Sequence, residues 1–217
     1  MQKIFVADDW GLSKPINDSI LLLVKCGLVG RVSLIVNAPF TEYLLDELKK
    51  YSVDISFHFN LTSGVKSAHR AVGFRDLVLG RYERSFVSDQ FAIQVEVSKQ
   101  LGLAFSILES HQYIHFIPSI GKLLAPLLLR NKILQIRSQE SVLHPTAKLG
   151  SFWAFRTNYK EELGFEKIMT AEFLLTSKDT TKLMVIHPAS SVSEDTQDPW
   201  RFKRYKQFLK IKNEFLL

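Results

Sequence analysis

Short apolar runs alternate with amphipathic stretches along this chain, and most of the apolar runs end in polar residues. Apolar runs bounded by turn residues predict buried strands, at residues 4–7, 31–36, 53–60, 105–111, 132–137 and 183–187. Apolar side chains at helical spacing predict helices, at residues 13–27, 41–48, 88–101, 118–130 and 165–176, with a last one from about residue 199. The alternation of the two predicts an α/β fold.

Two stretches do not follow this alternation. Residues 62–86 contain three glycines and several arginines, Arg70, Arg75 and Arg81 among them, without a clear period. A loop of this length inside a compact domain is typically a lid or binding loop, or else a solvated segment. The arginines could meet an anionic part of a ligand in the first case. Residues 138–160 have too weak a period for us to predict an element there.

Length and hydropathy predict one domain over residues 1–217. The chain has 217 residues, of which 46% are hydrophobic, which is enough for one sizeable core and too little for two. No window approaches the roughly 18 uncharged apolar residues that a membrane helix needs. The chain opens directly with a predicted strand rather than a charged segment and an apolar run, so we expect no cleaved signal and a cytoplasmic protein.

The charge of the chain is moderately basic. There are 28 Lys and Arg residues against 22 Asp and Glu, and the surplus gathers at residues 201–212, where the apolar spacing is that of a solvated helix. No helix-turn-helix, zinc-finger or RNA-recognition pattern accompanies it. We therefore expect no nucleic-acid partner.

Polar side chains collect at the carboxyl ends of the predicted strands. That placement is typical of either a (β/α) barrel or a doubly wound sheet. The chain lacks a glycine-rich dinucleotide turn after its first strand and lacks a phosphate-binding loop, which disfavours nucleotide chemistry.

The polar set at the strand ends consists of carboxylates and imidazoles: Asp8, Asp9, His58, His111, His115 and His187. One Asp and two His residues with open positions suit a divalent metal ion, and the second Asp of the adjacent pair is available as a base. Because neighbours on an extended strand point to opposite faces, the adjacent Asp8 and Asp9 should have different roles. The structural alternatives are a helix-capping Asp and core or surface histidines with a hydrogen bond. His69 and His144 lie in predicted loops and keep that interpretation.

Five segments of the chain resemble the YdjC/ChbG-like carbohydrate deacetylases. They occur in the family's order, at residues 7–13 (ADDWGLS), 33–37 (SLIVN), 58–62 (HFNLT), 110–118 (SHQYIHFIP) and 187–189 (HPA). The resemblance implies a TIM-like (β/α) barrel, here with fewer than eight regular units. It also implies a metal-dependent hydrolase that removes the acetyl group from an N-acetylated sugar, such as an oligosaccharide or conjugate containing N-acetylglucosamine.

The resemblance assigns roles to individual residues. It implies Asp9, His58 and His111 as ligands of Mg²⁺ or Zn²⁺, and Asp8 as the base. His187 would be the acid or lie on the oxyanion side, and Arg137 would be the partner of the base. The further residues that we expect to contact the sugar are Trp10, Asn37, Asn60, Tyr113, His115 and Arg137. A homodimer is compatible with these expectations.

The chain departs from the family pattern at two places. Glu109 stands where the family usually has Asp, and Tyr113 stands where it carries a further His. The chain is also shorter after His187 than we expect of the family. Two other functions remain: a carbohydrate-binding relative with a degenerate site, and a nucleic-acid-binding protein, which rests on net charge alone.

Overall fold

Seven strands and five helices form the part of the chain that a computed structural model describes, namely residues 5–62, 72–139, 166–172 and 183–188. The strands are β1 (Phe5–Trp10), β2 (Val29–Leu34), β3 (Asp54–Phe59), β4 (Ile107–Ser110), β5 (Gln135–Gln139), β6 (Glu166–Glu172) and β7 (Leu183–Ile186). The helices are α1 (Lys14–Lys25), α2 (Leu45–Leu48), α3 (Phe74–Val78), α4 (Arg84–Gln100) and α5 (Pro118–Arg130), and a 3₁₀ turn covers His111–Phe116.

The strands form one parallel sheet that closes into a barrel. Each strand pairs in parallel with the next along the chain, and β7 pairs in parallel with β1. The predicted α/β class is therefore confirmed, and of the two architectures that the sequence left open the sheet is barrel-like. The carboxyl ends of parallel strands meet at one rim, which brings the polar strand ends together.

Helix α1 shows how the local sequence produces an element of this fold. The Ser13 side chain caps the helix by accepting from the Ile16 N–H at 3.3 Å, and Pro15 lies in the first turn, where its missing N–H costs nothing. Gly27 follows the helix with a positive φ of 72°. The apolar face of the helix is buried against the barrel through Ile16, Ile20, Leu21, Leu23 and Val24.

A buried amide on α1 ties the segment after β1 to the segment after β2. Asn17 is fully buried; its Oδ1 accepts from the Gly11 N–H at 2.7 Å, and its Nδ2 donates to the carbonyls of Phe40 at 2.9 Å and Tyr43 at 3.0 Å. Gly11 has a φ of +105°, and an added Cβ would lie 2.9 Å from Thr41 Oγ1. Both the conformation and the close approach require glycine there.

The turn after β4 is attached to β5 through a buried imidazole. Ser110 donates from its hydroxyl to His115 Nδ1, and His115 Nε2 donates to the Arg137 carbonyl at 3.1 Å. Burial, with the charges of Arg137 and His58 adding to it, lowers the pKa of His115 to about 3, although the bond to the Arg137 carbonyl opposes the shift. His115 is therefore neutral at ordinary pH.

Four predicted elements differ from the observed ones. Residues 165–176 were expected to be helical, but Glu166–Glu172 is strand β6, because it pairs with both β5 and β7. The strand expected at 105–111 is only Ile107–Ser110, and the 3₁₀ turn begins at His111. The helix at 41–48 is only Leu45–Leu48, and the loop at 62–86 contains α3 and the start of α4, which begins at Arg84 rather than Ser88.

Some expectations lie outside the described residues, among them the helix from residue 199 and most of residues 138–160. The single domain over residues 1–217 stays a prediction. Within the described ranges, every helix is too short or too polar to cross a bilayer.

The Asn17→Ala substitution should lower the free energy of unfolding by about 3 kcal/mol, because it leaves three backbone groups of the 11–43 region without their partner. Urea unfolding at neutral pH measures the loss. Asn131→Ala is the matched control: its amide makes one exposed bond to the Leu127 carbonyl, so the loss should stay under about 1 kcal/mol. Equal losses in the two variants would contradict the anchoring role of Asn17.

His115 should make the stability depend on pH. Its folded pKa of about 3 lies below the unfolded value of 6.5, so the unfolded chain takes up the proton first. Its contribution is intact above pH 6.5 and is lost as the pH falls towards 3. Between about pH 5.5 and 4, urea unfolding of the native chain should lose about 1.4 kcal/mol per pH unit more than His115→Gln does. Identical slopes would show that His115 titrates normally in the fold.

Candidate functional site

One extra residue in β1 shapes the rim at which the polar side chains meet. Ala7 pairs with Val32 and Trp10 pairs with Leu34, so three steps along β1 oppose two along β2. Asp9 lies inside this bulge with a φ of 73°, a conformation uncommon for residues other than glycine. The expectation that Asp8 and Asp9 point to opposite faces is wrong, because the bulge turns both carboxylates toward the group around His58.

Asp9 forms the centre of a candidate metal site. Its Oδ1 lies 3.0 Å from His58 Nε2 and 2.8 Å from His111 Nδ1. Asp9 and His58 are buried, and the side chain of His111 is 13% exposed, which leaves one open side. Ligands that each lie about 2.1 Å from one ion are separated by roughly 3 Å, so these three donors fit a shared divalent cation.

The orientation of His58 supports this site. His58 belongs to the regular part of β3, and its Nδ1 lies 2.5 Å from the Ser33 hydroxyl on the neighbouring strand β2. Metal-binding histidines commonly hold their second ring nitrogen in a hydrogen bond of this kind, which fixes the direction of the first. His58 Nε2 is thereby directed at Asp9.

Asp8 forms a separate, charge-paired cluster beside the candidate metal site. Arg137 on β5 donates two hydrogen bonds to it, from Nη1 to Oδ2 at 2.5 Å and from Nη2 to Oδ1 at 2.7 Å. The same Nη2 donates to Glu109 Oε2 at 2.6 Å. All three side chains are buried, so each charge depends on the others for its solvation.

The surroundings of Asp8 keep its carboxyl group ionised. Burial by itself would raise the pKa, but the charge of Arg137, with smaller contributions from His58 and His187, holds the pKa of Asp8 below its usual 3.8. Conversely, Asp8 and Glu109 keep the pKa of Arg137 well above its ordinary value despite its burial. The resemblance assigned Arg137 as the partner of Asp8, and the two side chains do form a two-pronged ion pair.

His187 lies on the open side of Asp8. It follows β7, its side chain is 21% exposed, and its Nε2 is 3.7 Å from Asp8 Oδ2. This distance is too long for a hydrogen bond, yet it places an imidazole beside a carboxylate at the rim.

Four of the expected sugar contacts are enclosed in the fold instead, and one of them, Arg137, is the buried partner of Asp8 described above. Trp10 is fully buried and donates from Nε1 to the Thr41 carbonyl at 3.0 Å. His115 is fully buried with both ring nitrogens engaged. Asn60 is fully buried: its Nδ2 donates to Asn37 Oδ1, and its backbone N–H and carbonyl pair with the side-chain amide of Gln94. In this structure none of these residues therefore presents a polar atom to an accessible surface.

Asn37 and Tyr113 are the two expected sugar contacts that are not fully buried. Asn37 is 6% exposed, and its Nδ2 has no hydrogen-bond partner within the described part of the chain. Tyr113 is partly exposed, next but one to His111, and its ring stacks on Phe116 with centroids 5.9 Å apart. The sugar contacts expected of these two residues stay predictions.

Sequence reasoning missed the contributions of Ser33 and Glu109. The period of two along a strand could have indicated Glu109, which lies two residues before His111. Ser33 could have been noted as the polar residue that opens the SLIVN segment. A charged residue in the middle of a short strand is itself a signal, because a carboxyl group is rarely buried without a cationic partner.

Several proteins of known name are similar to this chain. A carbohydrate deacetylase of Danio rerio is 26% identical over 142 residues, which cover 58% of this chain and 45% of that protein. One of Vibrio cholerae is 27% identical, covering 57% of this chain and 54% of its own length. One of Vibrio vulnificus is 24% identical, with 87% and 79% covered. This chain thus spans about half the length of the first two relatives.

A solved structure shares the fold over almost the whole chain. It is an Enterococcus faecalis protein provisionally described as a cellobiose-phosphate cleavage protein, with a TM-score of 0.64 at 14% identity, covering 97% of this chain and 92% of that one. At such low identity the match concerns the fold alone. The family model described as YdjC-like protein matches residues 3–212, nearly the entire sequence. The chain therefore belongs to the YdjC-like protein family.

Proposed function

We propose that this chain is a metal-dependent hydrolase that removes the acetyl group from an N-acetylated sugar, built on an irregular TIM-like barrel. The observation that carries the proposal is the convergence of His58 Nε2 and His111 Nδ1 on one oxygen of Asp9, 3.0 and 2.8 Å away, beside a second, ionised carboxylate. A ligand set with one open side and a separate base is what hydrolysis at a metal requires. The names of the relatives support a carbohydrate substrate.

A divalent cation held by Asp9, His58 and His111 would lower the pKa of a water molecule and polarise the acetamide carbonyl. The chain's own residues then move the protons. Asp8 is suited to accept the proton of the attacking water, because it is ionised and adjacent to the ligand Asp9. His187, on the exposed side of Asp8, is suited to deliver a proton to the nitrogen of the leaving amine.

The ion pair with Arg137 leaves acceptor positions on Asp8 with which it can act as a base. A carboxylate oxygen offers two lone-pair directions, and Arg137 uses one on each oxygen. Oδ2 lies 3.7 Å from His187 Nε2, and we propose that this oxygen accepts the proton. Arg137 holds the carboxylate in one orientation, which is the positional requirement of general-base catalysis.

The proposal also includes the identity of the cation and the residues that contact the sugar. We propose Mg²⁺ or Zn²⁺ as the cation, since the imidazole pair suits zinc and the carboxylate suits either ion. Asn37 and Tyr113 are the proposed sugar contacts near the open side. The homodimer, the cytoplasmic location and the role of the arginines at residues 70–81 stay predictions.

Removal of the cation should abolish the reaction. Acetate release is measured on a panel of N-acetylated mono- and oligosaccharides and sugar conjugates, with purified protein before and after chelation. We expect release from at least one sugar, its loss after chelation, and its return when Mg²⁺ or Zn²⁺ is added. Acetate release that survives complete chelation would contradict the metal-dependent mechanism. Sugar binding without any acetate release would favour the degenerate binding relative.

The two adjacent carboxylates should separate on substitution. Asp8→Asn should keep cation binding and lower kcat by about 10²-fold or more, because it removes the proton acceptor. Asp9→Asn should lose cation affinity together with activity, and excess cation should restore part of it. Isothermal titration with the cation and acetate-release kinetics measure both effects.

Asp18→Asn is the control for this pair. Asp18 is an exposed carboxylate on α1, so its substitution should leave cation affinity and kcat unchanged. Circular dichroism must accompany Asp8→Asn, since that change removes one of the two carboxyl partners of buried Arg137. Loss of cation by a folded Asp8→Asn with retention by Asp9→Asn would reverse the two roles. Full activity of both variants would refute the mechanism.

A further inference from the structure

The turn that carries the candidate ligand His111 has an unfavourable backbone. It continues directly from β4 and contains two consecutive residues other than glycine in the left-handed region, Gln112 with φ 56° and Tyr113 with φ 54°. For a residue with a Cβ the left-handed conformation is unfavourable relative to the right-handed one. Such a turn persists only where the surrounding contacts hold it in place.

Two buried side chains supply those contacts. Ser110 Oγ accepts from the backbone N–H of His115 at 3.1 Å, across the turn, and its hydroxyl donates to His115 Nδ1. His115 Nε2 donates to the Arg137 carbonyl at 3.1 Å, which fixes the tautomer because a carbonyl can only accept. Ser110 and His115 are 1% and 0% exposed, so water does not compete for these bonds.

These bonds join the two halves of the proposed site. Ser110 immediately precedes His111, whose Nδ1 lies 2.8 Å from Asp9. Arg137, whose carbonyl receives the bond from His115, holds Asp8 with its guanidinium group. A shift of the turn would therefore move a ligand relative to Asp9 and would also disturb the strand that orients the base.

We propose that Ser110 and His115 form a positioning pair that holds the strained turn, and thereby holds His111 in its direction toward Asp9. The pair does not touch substrate and is not catalytic. The inference rests on the proposed metal site, since its readout is cation affinity. The metal site and the positioning role can fail separately. If the native chain binds neither Mg²⁺ nor Zn²⁺, the site itself is refuted. If the native chain binds the cation and substitution of Ser110 or His115 leaves the affinity unchanged, only the positioning role is refuted.

The first test compares two identical substitutions in buried serines. Ser110→Ala should weaken Zn²⁺ binding by about ten-fold, in line with the effect of losing a group that orients a ligand. Ser98→Ala is the matched control, because Ser98 is 4% exposed and its hydroxyl donates to the Val95 carbonyl on α4, away from the rim. Ser110→Ala should lose more stability than Ser98→Ala, because it leaves two buried groups of His115 without a partner, so Zn²⁺ affinity is compared under conditions in which circular dichroism shows both variants folded. Equal Zn²⁺ affinities of the two folded variants would overturn the proposal.

Two substitutions of His115 provide a second route if Ser110→Ala folds poorly. Gln retains a donor and an acceptor, whereas Leu has a similar size and neither. Zn²⁺ affinity should fall in the order native, His115→Gln, His115→Leu, with circular dichroism and thermal unfolding as checks of the fold. Equal Zn²⁺ affinities for the folded Gln and Leu variants would mean that the hydrogen bonds have no positioning role.

The strain can be tested in the Ser110→Ala background. Gln112→Gly removes the left-handed penalty, while Gln112→Ala keeps it; both lose the contact of Gln112 with the Thr62 hydroxyl. If the pair opposes this strain, Gly at position 112 should recover several-fold Zn²⁺ affinity over Ala in that background. Identical Zn²⁺ affinities for the Gly and Ala variants would show that Ser110 and His115 do not oppose the strain at position 112, and would overturn the inference.

Discussion

The single extra residue in β1 is the constraint on which the site depends. In a regular strand, adjacent residues face opposite sides of the sheet, and one of the two carboxylates would be directed into the surrounding helices. The bulge between Ala7 and Trp10, with Asp9 at a φ of 73°, directs both toward His58. One carboxylate then joins two imidazoles and the other joins a guanidinium group. The proposed separation of ligand and base follows from this local irregularity of the backbone.

The second requirement is charge balance within the barrel. Three carboxyl groups, those of Asp8, Asp9 and Glu109, are buried in this part of the barrel, and Arg137, the one fully buried arginine among the described residues, pairs with Asp8 and Glu109. Arg31 Nη1 makes a longer ion pair with Glu109 Oε1, at 3.9 Å. Burial of a carboxylate is costly unless opposite charges or hydrogen-bond donors compensate it. Asp8 and Glu109 depend for this on Arg137, while Asp9 Oδ1 lies within 3.0 Å of the two imidazole nitrogens of His58 and His111.

Most of the described fold could be predicted because its strands are short apolar runs with polar ends. The helix predicted over residues 165–176 failed for a physical reason: its local composition, rich in Glu, Lys, Met, Ala and Leu, favours a helix, but pairing with β5 and β7 on both sides outweighs this preference. Similarly, no local pattern announces the left-handed residues after His111. Tertiary contacts decide both cases, and a single sequence does not display them.

The proposed ligands differ in how the backbone presents them, and this explains which roles the sequence could reveal. His58 belongs to a regular strand and is oriented by Ser33 on the adjacent strand, so alternation along β3 is enough to predict that it faces the site. Asp9 and His111 instead lie in or directly before left-handed backbone. Regular strands alone would bring one of the three donors to the rim in the right direction. The other two require departures from regular geometry, and such departures need buried anchors. Asn17 at one end of the site and His115 at the other are polar side chains enclosed in the fold for this reason.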